Sequence, residues 1–459
     1  MSESALLADL AGVLPADRLT TDPDVLESYA HDDAEWAEWA LPACLVRPRT
    51  PEEVQSVVRA CLRHDTAVVA RGAGTGLSGG ANALAGCVVI SLERMNAVLE
   101  VDELERLAVV QPGVVNDDLR EHVAGHGLWY PPDPASSPWS TIGGNVATNA
   151  GGICCVKYGV TGDYVLGLQV VTGTGELVRL GRRTAKGVAG YDLTSLLVGS
   201  EGTLGIVTEI TVRLRPLRPP EQTIAGFFDS LTDAGQAVRE VAAAGLTPSA
   251  LELIDRNCLR AVDDWKNMGL SADAAVVLLA RVDTPGAAGD EEAAAVMSAF
   301  ERGGATWADR STDDAEGEAL FAARRLAYPA LERLGPVITE DVCVPKAAVP
   351  AMLSRIEAIG LANDILIANI AHAGDGNLHP LLVVPPGDDD ARARAKKAFA
   401  EIIDDALALG GTVTGEHGVG LLKREGLRSE LSPAVFEMHR AVKAALDPAG
   451  ILNPGKALG

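Results

Sequence analysis

The sequence predicts an α+β fold, and three observations indicate it. Short apolar runs typical of strands alternate with glycine-rich turns over residues 45–220. Longer patterns typical of helices alternate with strands over residues 221–410. Prolines in residues 216–220 separate the two regions. We therefore predict a helical arm over residues 1–44, a glycine-rich α+β domain over residues 45–220, a second α+β domain over residues 221–410, and a C-terminal segment over residues 411–459.

Composition excludes several classes of protein. The net charge of −24 opposes binding to nucleic acid or to an anionic membrane, so anionic substrates need a local cluster of positive charge. The 7 cysteines are scattered, which predicts neither a disulfide framework nor an iron–sulfur centre within this chain. We find no apolar run near the ~20 residues of a spanning helix and no targeting pattern at the N-terminus. A cytoplasmic protein is expected.

The first domain is predicted to start with a helix at Pro51, because Thr50 can cap it and Glu53 can complete a capping box. A strand over residues 67–70 leads into a glycine loop over residues 71–80, which matches the GxGxxG dinucleotide fingerprint. Only residues 81–87 separate this loop from the next strand, whereas a parallel crossover needs a dozen or more residues, usually a helix. We therefore predict a loop whose backbone N–H groups bind a pyrophosphate without a βαβ unit.

Further along the chain, a second glycine block occupies residues 141–152, after a proline-rich stretch over residues 130–134. Strands are predicted over residues 166–171, 176–180, 205–214 and 275–282. Helices are predicted over residues 290–302, 316–334 and 433–446, and the last of them precedes an extended tail rich in proline and glycine.

A polar turn follows the apolar run of residues 364–371 and contains two histidines, His372 and His379. A strand end that turns through Gly374 and Gly376 can bring both imidazoles to one point. There they could act as two ligands of a divalent metal ion. Glu416 is the best candidate for a third ligand. The alternative is that the histidines only hydrogen-bond a loop, but the concentration of histidine, aspartate, asparagine and glutamate within glycine turns favours a metal site.

Together these stretches resemble the FAD-linked D-2-hydroxyacid dehydrogenases, which include glycolate oxidase FAD subunits, flavin D-lactate dehydrogenases and D-2-hydroxyglutarate dehydrogenases. The likeness extends from the region of Pro48 to Lys456. It implies a vanillyl-alcohol-oxidase/PCMH-type FAD-binding domain, an α+β substrate (cap) domain, and a C-terminal segment that completes the active site and the FAD cavity.

The resemblance also implies residue roles. Non-covalent FAD is expected, because some relatives attach it through a histidine and this glycine loop has none. His372, His379 and Glu416 would bind Zn or Mn, His417 would be the catalytic base, Arg324 would bind the substrate carboxylate, and Asn377 would orient the ligand or a metal-bound water. The residues expected to bind FAD are Arg71, Gly72, Gly74, Thr75, Gly76, Gly79, Gly80, Pro132, Gly143, Gly144, Asn145, Thr148, Gly152, Glu201, Gly205, Ile206 and Asn453.

The expected reaction is oxidation of a D-2-hydroxy acid to a 2-keto acid, with hydride transfer to flavin N5. D-lactate or glycolate is favoured over D-2-hydroxyglutarate, because Thr339 and Glu340 precede Asp341 where relatives that act on the longer acid carry a lysine; Lys346 could supply that charge. The electron acceptor could be a quinone, a cytochrome, an electron-transfer flavoprotein, an iron–sulfur partner or molecular oxygen.

Other expectations concern assembly and the rival functions. A homodimer is expected, as is peripheral attachment to a membrane through the acceptor partner. One alternative function is a zinc hydrolase that uses the predicted metal ligands, although this leaves the glycine-rich half unexplained. The other is a flavin-binding redox subunit that acts only within a multi-subunit complex like glycolate oxidase.

Overall fold

The computed structural model describes residues 3–269 and 274–458, which form two compact units. The first unit combines residues 1–151, 160–217 and 416–459, and the second combines residues 152–159 and 218–415. Residues 1, 2, 270–273 and 459, which belong to the predicted arm, second domain and C-terminal segment, lie outside the described residues. The mixture of helices and strands confirms the predicted α+β class.

The first unit contains most of the short elements. Its helices are α1 (Glu3–Val13), α2 (Pro23–Ser28), α3 (Pro51–His64), α4 (Asn116–Ala124), α5 (Ile142–Thr148), α7 (Thr161–Tyr164), α8 (Leu193–Leu197), α15 (Arg424–Glu430) and α16 (Pro433–Leu446). Its strands are β1 (Leu19–Thr20), β2 (Cys44–Val46), β3 (Val68–Arg71), β4 (Val88–Ser91), β5 (Val98–Asp102), β6 (Leu107–Val110), β7 (Leu128–Trp129), β8 (Val165–Thr172), β9 (Leu177–Gly181), β10 (Gly205–Arg213) and β11 (Arg215–Pro216).

Two main sheets organise this unit. One has the order β1-β2-β4-β3, and the other is antiparallel with the order β5-β6-β10-β8-β9. Strands β3 and β4 are parallel neighbours, so the geometric reason given against a crossover was wrong. Residues 72–87 make the crossover as a loop without a helix, because the glycine loop itself supplies the length. The prediction that no βαβ unit forms here is confirmed.

Helix α3 begins as the sequence predicts. Thr50 Oγ1 accepts a hydrogen bond from Glu53 N at 3.2 Å, and Pro51 occupies the first turn. The capping box is incomplete, because the Glu53 carboxylate accepts from Arg49 N instead of Thr50 N and also pairs with Arg18. Apolar residues of α1 and α3 pack into one core with Ile451 and Leu452 of the tail.

The tail continues this unit near its parallel sheet. Leu452 forms a parallel bridge with Val68 of β3. The backbone bonds are Val68 N to Ile451 O at 2.8 Å and Asn453 N to Val68 O at 2.7 Å. Residues 451–453 therefore pair alongside the strand that leads into the glycine loop.

The second unit is built on one antiparallel sheet with the order β15-β12-β14-β13-β18-β19-β16, and β17 also pairs with β19. Its strands are β12 (Gln222–Phe228), β13 (Ala250–Asp255), β14 (Val276–Val282), β15 (Trp307–Arg310), β16 (Val337–Thr339), β17 (Val342–Cys343), β18 (Leu366–His372) and β19 (Asn377–Val383). Its helices are α6 (Cys155–Tyr158), α9 (Leu231–Ala243), α10 (Arg256–Lys266), α11 (Ala287–Arg302), α12 (Asp314–Glu332), α13 (Val349–Asn363) and α14 (Asp389–Ala408).

The predicted long elements agree with these bounds to within a few residues. Helix α16 has the predicted limits, and α11, α12 and β14 differ from prediction only at their ends. None of the helices in the described ranges is both long enough and apolar enough to cross a bilayer.

Candidate functional site

A cavity in the first unit collects most of the residues expected to bind FAD. Its lining includes Arg71, Gly72, Gly74, Thr75, Gly76, Gly80, Gly143, Gly144, Asn145, Thr148, Glu201, Gly205 and Ile206, together with Glu416 and His417. The four remaining predicted residues, Gly79, Pro132, Gly152 and Asn453, are not among the lining residues. Three separate stretches, the glycine loop, the second glycine block and the turn at residues 200–207, thus meet at one cavity.

The glycine loop wraps the side chain of Arg71. Gly74 has φ +85°, and a Cβ at this position would collide with the Arg71 guanidinium. Arg71 is 7% exposed, and its Nη1 donates to His31 O at 2.6 Å. Burial lowers the pKa of this guanidinium from its ordinary value. The loop therefore places a buried cation at the wall of the cavity, where an anionic phosphate can approach it.

Unpaired polar atoms at the cavity wall indicate a ligand. Among the described residues, Asn145 Nδ2 and Ser140 Oγ are buried and have no hydrogen-bond partner. Both residues line the cavity. Buried polar atoms are nearly always hydrogen-bonded in native proteins, so these two fit a bound group with polar atoms of its own. The residues present therefore suit a large polar cofactor such as FAD.

The C-terminal segment of the first unit is anchored on the glycine loop. Ser78 Oγ donates to Gly418 O at 2.8 Å and to His417 O at 3.1 Å. The Glu201 carboxylate accepts hydrogen bonds from Val419 N and Gly420 N, each at 2.8 Å. Burial raises the pKa of this carboxyl group. Glu201 thus fixes the turn that follows His417, in addition to lining the cavity.

Asn453 supports the cavity from behind. It is 2% exposed, and its Nδ2 donates to Glu201 O at 2.7 Å and to Gly80 O at 2.8 Å. Its Oδ1 accepts from Lys456 Nζ at 3.2 Å. The side chain therefore ties the glycine loop to the turn at residues 200–207.

Sequence reasoning missed Asp32 at this cavity. Its carboxylate accepts from Ala34 N at 3.1 Å and from Ala81 N at 3.3 Å, and it lies next to the Cα of Gly76. Burial raises the pKa of the Asp32 carboxyl group from 3.8 to about 6. The signal that could have indicated it, an Asp-Asp pair in the N-terminal region, is weak by itself.

The second unit brings together His372 and His379, which are two of the predicted metal ligands. Their rings are 5.1 Å apart between centroids and nearly perpendicular, and both residues are buried. A ligand atom of one lies within 4.8 Å of a ligand atom of the other. Strand pairing accounts for this geometry, because His372 lies opposite Asn377, two residues before His379 on the same strand face.

A buried carboxylate, Glu252, connects two of the predicted site residues. Glu252 lies directly opposite His372 in the pairing of β13 with β18, and its Oε1 lies 2.8 Å from His372 Nδ1. Its Oε2 forms an ion pair with Arg324 Nε at 2.9 Å. Glu252 is fully buried, Arg324 is 6% exposed, and the sequence-based prediction did not include Glu252.

A second buried carboxylate, Asp341, organises the predicted Asn377. Asn377 Nδ2 donates to Asp341 Oδ1 at 2.7 Å, while Thr414 Oγ1 and Gly415 N donate to Asp341 Oδ2 at 2.6 and 3.0 Å. Gly415 lacks a Cβ that would collide with Asn377. The Asn377 amide is thereby oriented from behind by an acidic partner.

Glu416 and His417 follow Gly415 in the chain and belong to the first unit. Within that unit, Glu416 Oε1 and His417 Nε2 are 3.8 Å apart. The Glu252 carboxylate, which contacts His372 Nδ1, is the kind of partner that metal-binding histidines usually have. The complete metal set of His372, His379 and Glu416, and the role of His417 as a base, stay predictions.

Comparisons with known proteins agree with this cavity. Residues 42–181 match the family model "FAD binding domain", and residues 218–457 match "FAD linked oxidases, C-terminal domain". The chain is 42% identical to the glycolate oxidase subunit GlcD of Bacillus subtilis (strain 168), over 91% of this chain and 89% of that protein. It is 35% identical to the D-2-hydroxyglutarate dehydrogenase of Stutzerimonas stutzeri (strain A1501), over 99% of both.

A solved structure of p-cresol methylhydroxylase with substrate bound is similar in fold, with a TM-score of 0.84 at 16% identity over 99% of this chain and 96% of that one. This likeness confirms the predicted vanillyl-alcohol-oxidase/PCMH-type fold. The fold, the cavity and the family matches define an FAD-binding oxidoreductase. More particularly, the chain belongs to the FAD-linked oxidases, and the glycolate oxidase subunit and the dehydrogenase named above are among its relatives.

Proposed function

We propose that this protein oxidises a D-2-hydroxy acid to the corresponding 2-keto acid. The relatives named as a glycolate oxidase subunit, a D-2-hydroxyglutarate dehydrogenase and a probable mitochondrial D-lactate dehydrogenase all support a substrate of this class. The observation that carries the proposal is Arg324, which is 6% exposed and whose ion pair with Glu252 uses only Nε. The two terminal nitrogens remain for a carboxylate, which guanidinium groups bind with two parallel hydrogen bonds.

The other predicted residues then have complementary roles. The residues that line the cavity would hold FAD without a covalent link, and the flavin would supply the acceptor for the hydride from C2. A divalent ion, Zn or Mn, held by His372, His379 and Glu416 would act as a Lewis acid on the substrate hydroxyl group. His417 accepts the hydroxyl proton, and Asn377 orients the substrate or a bound water. Loss of this proton and of the C2 hydride converts the hydroxy acid into the keto acid.

A short substrate, D-lactate or glycolate, is favoured over D-2-hydroxyglutarate. The position before Asp341 holds Glu340, which is fully buried and accepts a hydrogen bond from Asp341 N. A buried acid at this position would repel a second substrate carboxylate. Lys346, the alternative source of positive charge, is exposed in a 3₁₀ turn.

The remaining proposals concern organisation. Residues 45–220 would form the FAD-binding domain and residues 221–410 the substrate domain, with residues 1–44 as an arm and residues 411–459 completing the active site. Electrons would leave through a separate acceptor, which could attach the protein to a membrane, and a homodimer is proposed. Because two relatives are named as subunits, a second candidate is a redox subunit that is active only within a complex.

The test is anaerobic reduction of the bound flavin. Purified protein is first precipitated with acid, which should release FAD into the supernatant if the cofactor is not covalently bound. The FAD- and metal-loaded protein is then mixed with D-lactate, glycolate, D-2-hydroxyglutarate and, as a control, L-lactate. We expect one of the first two acids to bleach the flavin absorbance fastest. If none of the four bleaches it, the proposed substrate class is wrong for the isolated chain, and the subunit alternative is favoured.

Two variants of one helix sharpen this test. Arg324→Gln should slow flavin reduction at low substrate by about 10- to 100-fold, since charge-assisted hydrogen bonds contribute about 1.5–3 kcal/mol. Arg325→Gln is the matched control, because the neighbouring arginine is exposed and pairs with Glu318 at 3.4 Å. Equal reduction rates in the two variants would contradict the role assigned to Arg324.

A further inference from the structure

We propose that Glu252 is a positioning residue that orients His372 towards the metal and Arg324 towards the substrate carboxylate at the same time. This inference deepens the proposed function and rests on it. None of the motifs that identify the family contains Glu252, which lies between apolar neighbours in strand β13. Its position became evident only from the pairing of β13 with β18.

The first half of the inference concerns the imidazole of His372. Its Nδ1 is 2.8 Å from Glu252 Oε1, and a carboxylate can only accept a hydrogen bond from a ring N–H. The proton is therefore held on Nδ1, which leaves the lone pair of Nε2 for a metal. Metal-binding histidines commonly have such a carboxylate partner, and its loss typically costs 10- to 100-fold in metal affinity.

The second half concerns the guanidinium of Arg324. Glu252 Oε2 lies 2.9 Å from its Nε in an ion pair that lacks the alignment of a hydrogen bond, and no other ion pair of Arg324 occurs among the described residues. Arg281 of the same unit provides a contrast, because its terminal nitrogens pair with Glu221 and Glu318. Both terminal nitrogens of Arg281 are thus engaged in structural ion pairs, whereas Arg324 is held at its Nε and keeps its terminal nitrogens for a ligand.

Both functions depend on one fully buried carboxylate. Glu252 is 0% exposed, so water cannot replace either of its partners. A glutamine has one acceptor oxygen and no charge, so it can keep the hydrogen bond from His372 but loses the ion pair with the Arg324 guanidinium. Loss of the charge should therefore weaken metal binding and substrate binding together, whereas a change in Arg324 alone should affect only the substrate.

The experiment compares three variants of the FAD-loaded protein. Binding of Zn²⁺ and of Mn²⁺ is measured by titration calorimetry, and KM and kcat are measured with the best acid from the test above. We expect Glu252→Gln to weaken binding of the preferred metal by about 10- to 100-fold and to raise KM. Arg324→Gln should raise KM while leaving metal affinity within about twofold. Glu221→Gln is the matched control, because it removes the negative charge that pairs with Arg281. It should change neither KM nor the affinity for the metal.

Glu252→Asp, which keeps the charge but shortens the side chain, provides a second variant if the glutamine variant does not fold. Metal binding should be weakened less in Glu252→Asp than in Glu252→Gln. If Glu252→Gln cannot be purified, Glu252→Asp should still bind the metal measurably more weakly than the wild type does. Wild-type metal affinity in the Glu252 variants would overturn this inference alone. Wild-type protein that binds neither metal, yet oxidises the acid, would instead overturn the metal set of the proposed function, and the inference with it.

Discussion

The conformation of the glycine loop leads to a prediction about Gly74. Gly74 and Gly86 have similar φ angles of +85° and +72°, so alanine at either position carries about the same backbone cost of roughly 1–2 kcal/mol. The two sites differ in their surroundings. A Cβ at Gly86 meets nothing within 4 Å, whereas a Cβ at Gly74 collides with the Arg71 guanidinium.

Relief of that collision requires Arg71 to move. The movement would break the 2.6 Å hydrogen bond from Arg71 to His31 O and the cation–π contact with Tyr29 at 5.7 Å. Loss of a charged hydrogen bond costs about 1.5–3 kcal/mol. Gly74→Ala should therefore lower the free energy of unfolding by about 2 kcal/mol more than Gly86→Ala does. Because the displaced Arg71 also lines the cavity, Gly74→Ala should bind FAD more weakly than Gly86→Ala does.

The assay is denaturant unfolding of both apo-variants, followed by titration with FAD and detection of the quenching of flavin fluorescence. Gly86→Ala should bind FAD as the wild type does, because Gly86 does not line the cavity. If the two variants have equal affinities for FAD, the conclusion that Arg71 and the loop form one unit at the cavity wall is refuted.

Two further predictions concern the same cavity. Asn453→Gly tolerates the positive φ of +41° but removes three side-chain hydrogen bonds, so we expect a loss of about 2–3 kcal/mol in unfolding free energy and a weaker affinity for FAD. Asn363→Ala, which also breaks hydrogen bonds of a buried asparagine, is the control and should leave FAD affinity unchanged. The variant Asp32→Asn tests whether burial raises the pKa of the Asp32 carboxyl group to about 6 in the folded protein, from the ordinary value of 3.8. Protonated Asp32 stabilises the apo-protein below pH 3.8, and this contribution of about 3 kcal/mol is lost as the pH rises through 6. The unfolding free energy of wild type minus that of Asp32→Asn should therefore fall across this window, and a constant difference would contradict the burial argument.

The sequence predicts the elements better than it predicts their neighbours. Apolar patterns and caps located α16, α11 and β14 closely, because these signals are local. The parallel pairing of β3 with β4 has no such local signal, because the glycine-rich loop that connects the two strands lacks the helical pattern of a usual crossover. Which strands pair is decided by long-range packing, about which a stretch of sequence contains little information.

The candidate site shows the same division. Glycine loops and histidines are recognisable in sequence because few other residues can replace them in turns or at metals. Glu252 had only one local signal, an acid between apolar neighbours, which is costly to bury without partners. Its partners, His372 and Arg324, are remote in sequence, so the strand register was needed to find it.

The bridge between Val68 and Leu452 has a consequence for biosynthesis. A ribosome releases the chain from its N-terminus, and domains usually fold as they emerge. Here β3, which leads into the glycine loop and pairs with β4 on one side, receives Leu452 on its other side, and Leu452 and Asn453 are synthesised long after the glycine loop. The support that Asn453 gives to the glycine loop therefore forms late in synthesis, and we expect tight binding of FAD to follow it.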